Sequence, residues 1–545
     1  SQQSYTNTVL NFQRGDIKDR NNTTLAVSVR KYDMVIEPRT LLAKDKERIT
    51  TIKAIAEHFQ VDTSLIQNVI EKHPKSMYEH IEQLKELSTK QVDKFKKKMK
   101  KNKDIIGVWF EEVYKRNYPQ KTVGAGIIGF TSGDNKGTYG VEEQYNSVLN
   151  GTTGREYGYF DSNMNLQRTI KEAKDGDSLV LTIDANVQKI VEDEINNFQK
   201  QGVGAKTAAV MIMNPKNGEI LSMASNASFD LNDPQNLSGM YTQEQIMAMS
   251  DKQKSDAQLA MWSNYCIGSA YEPGSTFKPF TICAALDENL VSEKTTFNCT
   301  GVTKIADRDI HCNNRSGHGF LNLRQALMKS CNGALMTIGT RLGRKSFSKY
   351  NKLYGFGQRT GIDLPGETSG IIHDVDGLNP VELATSSFGQ TQTVTMVQML
   401  GGFSSLINGG NYFQPHVVKE IRNSSGDVLE TIDPLVVKKT TSEDTSAMIR
   451  SFLKSTVEEG TASPAQVKGY SIGGKTGTAQ KRPVSERKYL VSFIGCVPAE
   501  DPDIAYYVIM DEPHVKDQAH STYATEFASR LMKKVLPFLG QYATK

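Results

Sequence analysis

The sequence predicts an α/β (α+β) fold whose main sheet joins strands from distant parts of the chain. Two observations support this class. Strand-like segments lie near both ends of the stretch 173–545, at residues 178–183, 207–213, 219–224, 489–497 and 504–510. A helix-rich middle, from about residue 240 to about residue 410, separates them. We therefore expect one large domain in which the early and late strands share a sheet.

The composition fits a folded chain of several domains. Its 545 residues are 38% hydrophobic and 23% charged, and the mean hydropathy is −0.45. This balance argues against global disorder, and the length predicts about two to four domains. The net charge of only +4 gives no support to a nucleic-acid partner. The sequence is polar up to about residue 170 and then changes to regular strand and helix patterns. This change predicts an N-terminal domain, 1–172, and a second domain, 173–545.

The N-terminal domain is predicted to mix helices with short strands. Residues 51–103 have apolar side chains at helical spacing, which predicts a helical stretch. Residues 25–29 and 126–130 are strand-like, and six glycines make 124–141 rich in loops. Seven of the ten residues 94–103 are lysines. Such a run is typical of a solvated helix face, and contact with an anionic polymer or lipid headgroups is the alternative.

The second domain begins with a predicted strand, helix and hairpin. Residues 178–183 are expected to form a buried strand and residues 186–198 an amphipathic helix. The segments 207–213 and 219–224 flank a turn that contains Pro215 and Gly218, which predicts a β-hairpin. After the last two strands, residues 524–536 are expected to form a closing helix.

A serine and a lysine three residues apart form the first candidate catalytic motif. Pro273 and Gly274 end the preceding segment, so Ser275 is expected in the first turn of a helix that contains Lys278. There the serine N–H is free to bind an oxyanion, and the helix terminus favours negative charge. Lys278 could take the hydroxyl proton only if its pKa fell from about 10.4. The motif alone is weak because the same spacing recurs at Ser28, Ser346, Ser451 and Ser485.

Two later motifs strengthen the first one. Ser330-Cys331-Asn332 supplies a hydroxyl and an amide, and residues 475–478 (KTGT) supply a cation suited to a carboxylate. The glycines around Lys475 allow a substrate backbone to lie against an edge strand. The order S-x-x-K, S-x-N, K-T-G is the signature of penicillin-binding proteins and β-lactamases. The sequence context yields no Ser/His/Asp triad, which agrees with a lysine-based mechanism.

With these motifs the chain resembles the penicillin-recognising serine D,D-transpeptidases. Within them it is most similar to class B penicillin-binding proteins of the division and sporulation type of Gram-positive bacteria. Residues 14–20 (RGDIKDR), 128–130 (IGF) and 140–145 (GVEEQY) match landmarks of that class's N-terminal pedestal. The resemblance implies an elongated α+β pedestal of the dimerisation type over 1–172. Over 173–545 it implies a transpeptidase domain, with an antiparallel sheet covered by helices on both sides.

The resemblance also implies a role for each catalytic residue. Ser275 would attack the D-Ala-D-Ala carbonyl of a peptidoglycan stem peptide, or a β-lactam, to form an acyl-enzyme. Lys278 would accept the serine proton, and Ser330 would relay a proton to the leaving D-Ala. Asn332 would bind the substrate backbone, and Lys475 would hold the Lys278–Ser330 network electrostatically.

The third motif would bind the substrate through Thr476, Gly477 and Thr478. The two threonines are expected to contact the terminal carboxylate, and the N–H groups of Ser275 and Thr478 to form the oxyanion hole. No cofactor is needed for this chemistry. The alternatives are a β-lactamase, against which the large pedestal and the lack of a recognisable deacylating glutamate argue, and a non-catalytic penicillin sensor or scaffold.

The family context also predicts a location and partners. No run approaches the ~18 apolar residues of a membrane span, and the chain begins where the family's anchor normally ends. We therefore expect a single-pass anchor outside this sequence, a cell-membrane location and an extracytoplasmic catalytic domain. A membrane-embedded glycan polymerase and the division or sporulation machinery are the expected protein partners.

A cluster of possible metal ligands lies between the first two motifs. Zinc takes thiolate, imidazole and carboxylate ligands in tetrahedral geometry, often from nearby loops. We predict a structural or regulatory site formed by Cys299, Asp309, His311 and Cys312, with His318 as a substitute for Asp309. A Cys299–Cys312 disulfide and unlinked thiols are the alternatives. The other four cysteines are expected to pack in the core.

Overall fold

The computed structural model describes residues 6–160 and 166–544. Its N-terminal region contains eight strands, namely β1 (Thr6–Leu10), β2 (Ile17–Lys18), β3 (Thr24–Ile36), β4 (Val108–Asn117), β5 (Phe130–Ser132), β6 (Lys136–Thr138), β7 (Gly154–Phe160) and β8 (Leu166–Lys171). Its helices are α1 (Pro38–Leu42), α2 (Asp45–Phe59), α3 (Thr63–Lys72), α4 (Thr89–Lys101), α5 (Ala125–Ile128), α6 (Gly140–Gln144) and α7 (Asn146–Leu149).

The second region begins at strand β9 and ends with a helix. Its strands are β9 (Ser178–Leu181), β10 (Ala205–Met213), β11 (Ile220–Ser225), β12 (Thr296–Cys299), β13 (Val302–Ile305), β14 (Arg308–His311), β15 (Gly319–Asn322), β16 (Asn411–Phe413), β17 (Val418–Arg422), β18 (Val428–Thr431), β19 (Val436–Lys439), β20 (Gly473–Gln480), β21 (Tyr489–Val497) and β22 (Ile504–Pro513). Its helices are α8 (Ala185–Lys200), α9 (Gln243–Met247), α10 (Asp251–Trp262), α11 (Tyr265–Gly268), α12 (Lys278–Asp287), α13 (Leu323–Met328), α14 (Asn332–Leu353), α15 (Pro380–Ser386), α16 (Met396–Ile407), α17 (Glu443–Glu458) and α18 (Thr522–Val535).

The long strands β3 and β4 carry a helical head that consists of residues 37–107. The two strands pair antiparallel, and α1 to α4 lie between them in the chain. Buried Met34 and Ile36 pack with Ile55, Ile66 and Phe95 from the helices. The predicted helical stretch 51–103 is thus three separate helices, because Gln60 ends α2 in a left-handed conformation (φ 54°) and the chain turns there.

One local prediction for the N-terminal region is wrong. Residues 126–130 were expected to form a strand, but most of them belong to helix α5. Gly129 (φ 72°) ends this helix, and an added Cβ there would lie 1.9 Å from the carbonyl oxygen of Tyr139. The chain becomes extended only at Phe130, where β5 begins.

A five-stranded antiparallel sheet organises the second region and confirms the predicted pairing of distant strands. Its order is β11-β10-β22-β21-β20, so the early hairpin β10–β11 lies beside the late strands. Side chains alternate between its faces. On β10, Val210 packs with α8 and α18, whereas Met211 packs with the core that contains α12 and α16. Helices therefore cover both faces, as the family resemblance implied.

A second sheet connects the two regions. Its order is β18-β17-β9-β2-β3-β4, which joins pedestal strands to strands from the second region. In the described ranges 6–160 and 166–544, no helix is both long and apolar enough to cross a membrane.

Candidate active site

Ser275 lies in a tight turn that leads directly into a buried helix. The turn Gly274–Phe277 is a 3₁₀ segment, and α12 follows it at Lys278. Gly274 has a φ of 68°, a conformation that favours glycine. Ser275 is partly buried, whereas its neighbours on both sides are fully enclosed. The turn therefore presents the Ser275 hydroxyl at the edge of a rigid core.

Lys278 is a buried cation whose environment favours the neutral form. Its side chain has no exposed surface, and its Nζ donates hydrogen bonds to the Ser330 Oγ at 2.9 Å and the Ser330 carbonyl oxygen at 2.8 Å. Desolvation lowers the pKa of Lys278 to about 7, against a smaller opposing effect of the Cys331 and Cys312 thiols. A large fraction of Lys278 is therefore neutral at physiological pH, which is the requirement for a general base.

Ser330 connects two lysines. The Lys475 Nζ also donates to the Ser330 Oγ, at 2.9 Å, and to the Thr476 carbonyl oxygen at 2.9 Å. Burial and then the nearby Lys278 charge hold the pKa of Lys475 well below its usual range. Ser330 itself has a φ of 53°, an uncommon conformation for a residue with a Cβ. Such strain persists at functional sites where the surrounding structure holds it in place.

Strand β20 forms one wall of the site as an edge strand. It pairs with β21 alone among the strands of its sheet, so its other edge faces the serine turn. Thr476 is buried and Thr478 is exposed. An added Cβ at Gly477 would lie 2.5 Å from the Ser492 Oγ and 3.1 Å from the Thr276 Cγ2. Glycine at this position therefore allows the strand to approach the turn closely.

The structure brings the catalytic residues predicted from the sequence together from four elements. Ser275 and Lys278 come from the turn and α12, Ser330 and half-buried Asn332 from the junction of α13 and α14, and Lys475 from β20. Asn332 is the first residue of α14. The three motifs are far apart in the chain, and the fold places them at one site, as their order in the sequence predicts.

Supporting residues around the turn were not identified from the sequence. Tyr271 donates to the Tyr507 hydroxyl at 2.8 Å, and both are buried beneath the turn. The Glu272 carboxylate accepts a hydrogen bond from the backbone N–H of Thr391 at 2.7 Å, and Thr391 has a φ of 70°. Aromatic and acidic residues at these positions have no distinctive spacing, so no sequence signal marks them.

A cluster of potential metal ligands lies beside the S-x-N motif. Ligand atoms of Cys299, Cys312, His318 and Cys331 all lie within 4.8 Å of one another. The Cys312 Sγ is 3.6 Å from the His318 Nδ1. All six cysteines are free thiols, so the structure contains no Cys299–Cys312 disulfide. Three thiols and one imidazole are a ligand set that zinc accepts in tetrahedral sites.

This cluster corrects two predicted ligands. Asp309 and His311 lie on β14 with exposed side chains, outside the cluster. Successive residues of an extended chain point to opposite sides, so Cys312 can turn inward only if His311, and with it Asp309, turns outward. Cys331, which the sequence predicts in the core, is buried but belongs to the ligand cluster.

The pKa values of two thiols in the cluster, Cys312 and Cys331, shift in opposite directions. A hydrogen bond from Cys331 lowers the pKa of Cys312, and backbone N–H groups at Gly333, Asn314 and Asn332 act in the same direction against burial. The same contact raises the pKa of Cys331. A thiolate is the form of cysteine that binds metals, so Cys312 is prepared for a ligand role.

The chain is similar to proteins of known type over nearly its whole length. Residues 10–181 match the penicillin-binding protein dimerisation domain, and residues 208–533 match the penicillin-binding protein transpeptidase domain. Stage V sporulation protein D of Bacillus subtilis (strain 168) is 35% identical over 97% of this chain and 78% of that protein. A probable peptidoglycan D,D-transpeptidase PenA of Neisseria meningitidis is 27% identical over 96% of this chain and 83% of its own length.

Solved structures share the fold. The crystal structure of penicillin-binding protein 2X from Streptococcus thermophilus matches with a TM-score of 0.81 and 24% identity. The match covers 98% of this chain and 80% of that one. At this level of identity the likeness concerns the arrangement of the two regions rather than the chemistry of the site.

Proposed function

The chain belongs to the penicillin-binding proteins that join a dimerisation domain to a transpeptidase domain, and we propose that Ser275 is its acylated nucleophile. The chain is a peptidoglycan D,D-transpeptidase, and its substrates are stem peptides, with β-lactams as inhibitors. The observation that supports the residue assignment is the hydrogen-bond network that joins Lys278, Ser330 and Lys475, with Ser275 in the turn that leads into the helix of Lys278.

Acylation begins when the Ser275 Oγ attacks the carbonyl carbon of the penultimate D-Ala. The serine proton moves to neutral Lys278, and the oxyanion is bound by the backbone N–H groups of Ser275 and Thr478. One such donor is typically worth about 10²–10³ in rate. The tetrahedral intermediate collapses when Ser330 donates a proton to the departing D-Ala nitrogen and receives one from Lys278. The product is an ester on Ser275.

Deacylation reverses these roles toward an acceptor amine. The amine attacks the ester carbonyl, loses its proton through Ser330 and Lys278, and expels the Ser275 oxygen, which is reprotonated. The new amide is the peptidoglycan cross-link. Asn332 and the edge of β20 are assigned to the substrate backbone, because an extended peptide can add to an open strand edge.

The substrate carboxylate is assigned to Thr476, Gly477 and Thr478. Lys475 lies behind these residues, where its hydrogen bond to Ser330 keeps the proton relay in place. Once Lys278 has accepted the serine proton, its charge beside Lys475 favours an anionic substrate terminus.

The nucleophile assignment is tested with Ser275→Ala. We expect this variant to lose labelling by a fluorescent penicillin and to release no D-Ala from a stem-peptide mimic. Labelling that survives the substitution would show that another residue is acylated. A long-lived acyl-enzyme is expected in the unmodified chain, whereas fast turnover of a chromogenic β-lactam would favour a β-lactamase. D-Ala release, unlike labelling, separates a transpeptidase from a penicillin sensor.

We also propose that Cys299, Cys312, His318 and Cys331 bind a structural zinc ion. Bound zinc would supply a closed tetrahedral cross-link between loops and take no part in the reaction. Because Cys331 lies between Ser330 and Asn332, the cross-link would fix the S-x-N motif against the β12 and β15 strands.

Elemental analysis of protein purified without added metal tests this site. We expect about one zinc per chain, lost in Cys331→Ser and in His318→Gln. The matched control is the double variant Asp309→Asn/His311→Gln, which is expected to keep the metal. Zinc that is absent from the unmodified chain, or lost only in the control, would contradict the ligand set.

We propose the cell membrane as the location, with a single-pass anchor preceding this sequence and the catalytic domain outside the cytoplasm. A membrane-embedded glycan polymerase and the division or sporulation machinery are the proposed partners. The support is the similarity to stage V sporulation protein D and the match to the dimerisation and transpeptidase domains of penicillin-binding proteins. Fractionation of cells that express the full-length protein tests the location, and recovery in the soluble fraction would contradict it.

A further inference from the structure

Helix α4 carries a strongly charged surface that the transpeptidase reaction does not use. Its 13 residues include seven lysines and one aspartate, a net charge of +6, which exceeds the +4 of the whole chain. Buried Val92 and Phe95 fix one side of the helix in the head. On the opposite side, at helical spacing, lies the lysine stripe, which consists of the exposed residues Lys90, Lys94, Lys97, Lys98 and Lys101.

Neither ion pairing nor helix stability accounts for the whole stripe. Across the ranges that the structure describes, none of its five lysines forms a salt bridge. Lysines in the last turn, such as Lys98 and Lys101, complement the helix dipole, but Lys94 and Lys97 lie earlier. Like charges at i, i+4 destabilise a helix. An external anionic surface would remove this repulsion.

The N-terminal segment runs toward the same end of the pedestal. The Gly15 carbonyl oxygen accepts a hydrogen bond from Arg116, near the second region. Four residues earlier, the Asn11 side chain donates to the carbonyl oxygen of Glu112, the strand partner of Tyr32. The Lys96 Nζ lies 5.3 Å from the centre of the Tyr32 ring. Asn11 is therefore level with α4, and the proposed anchor would precede it.

We propose that the lysine stripe contacts anionic lipid headgroups of the membrane to which the chain is anchored. The contact is electrostatic, because the apolar side of α4 is already buried in the head and cannot enter the bilayer. A lysine near an anionic leaflet is attracted over about one Debye length. This contact would set the orientation of the pedestal at the membrane. It rests on the proposed anchored location but not on the assignment of Ser275.

Vesicle co-sedimentation of the 545-residue chain tests the proposal. Vesicles of phosphatidylcholine mixed with phosphatidylglycerol are compared with pure phosphatidylcholine, at low and high salt. The test variant replaces four stripe residues, Lys94, Lys97, Lys98 and Lys101, by glutamine, which has a similar helix propensity. The matched control replaces four exposed helical lysines elsewhere, Lys189, Lys200, Lys345 and Lys533, by glutamine.

The unmodified chain and the control variant are expected to bind the anionic vesicles at low salt only and not to bind the neutral vesicles. The test variant should bind at least about tenfold more weakly. Equal binding by the test variant, or no preference for anionic vesicles, would overturn the proposal. So would tight binding to soluble polyphosphate without binding to vesicles, which would assign the stripe to a dissolved polymer. Fluorescent penicillin labelling of each variant reports separately on Ser275 and on folding.

Discussion

Two buried clusters of charged residues, one in the pedestal and one in the active site, differ in how their charges are balanced. In the pedestal, Arg14 and Arg116 both contact Glu142, at 3.0 and 2.9 Å, and all three are buried. In the active site, Lys278 and Lys475 both contact the neutral hydroxyl of Ser330. The first cluster joins cations to a carboxylate, whereas the second places two cations together.

The pKa shifts follow from this difference. The two arginines hold the pKa of Glu142 below its usual range despite burial, so the pedestal cluster stays charged. Desolvation, opposed only by the thiols nearby, lowers the pKa of Lys278 to about 7. Burial with a partner therefore preserves charge and stabilises the fold, and burial without one produces a base that functions at neutral pH.

The largest expected effect comes from removing Lys278, the proposed active-site base. Lys278→Met keeps most of the length of the side chain but cannot accept a proton, so acylation by a fluorescent penicillin should slow by about 10²–10⁴. Stability should change little, because the desolvation cost of a buried amine is removed while the Ser330 carbonyl oxygen loses a hydrogen-bond donor. The control is Lys345→Met on an exposed site of α14. Unchanged acylation in Lys278→Met would remove Lys278 from the mechanism.

The pedestal should respond in the opposite way. Glu142→Gln leaves two buried arginines without a counter-charge, which is expected to cost about 3–5 kcal/mol in the free energy of unfolding. Chemical denaturation measures this loss, and molecules that remain folded should still react with penicillin. The neighbouring, exposed Glu143→Gln is the matched control. Equal stability of both variants would show that the pedestal cluster does not stabilise the fold.

A smaller effect is expected where β20 meets the serine turn. Gly477→Ala places a Cβ 2.5 Å from the Ser492 Oγ of β21, which can rotate away. The same Cβ lies 3.1 Å from the Thr276 Cγ2 and 3.2 Å from the Pro273 carbonyl oxygen, so the serine turn itself must shift slightly. Displacement of a reacting group by about 1 Å can cost on the order of 10²-fold in rate. Gly126→Ala is the control, because its Cβ would meet nothing within 4 Å. Equal acylation rates in the two variants would show that the close approach is not needed.

Candidate catalytic residues could be predicted from the sequence because each lies in a short motif. The order of three motifs predicts Ser275, Lys278 and Lys475 as catalytic, and the structure gathers Lys278 and Lys475 around Ser330. The strand pattern predicted a sheet that joins distant segments, and the structure confirms this sheet. The buried state of the two lysines could not be predicted, because it depends on packing between elements far apart in the chain. The domain boundary at 172/173 stays a prediction.

The ligand cluster shows where local reasoning failed. Asp309, His311 and Cys312 are close in sequence, but strand alternation sends their side chains to different sides. Cys331 looked like a core residue because its neighbours are small or apolar, and only the fold brings it to Cys299 and Cys312. His318, the predicted substitute for Asp309, lies in the cluster.

The pH dependence of acylation tests most directly the claim that burial without a partner makes Lys278 a base at neutral pH. The acylation rate should rise with pH, with a midpoint near the Lys278 pKa of about 7, because only the neutral amine accepts the Ser275 proton. The contribution of Glu142 to the free energy of unfolding should stay constant around pH 7. Because the pKa of Glu142 is lowered in the folded state, this contribution decreases only in acid, below about pH 4.3. A midpoint near the ordinary lysine pKa of about 10.4 would contradict the account.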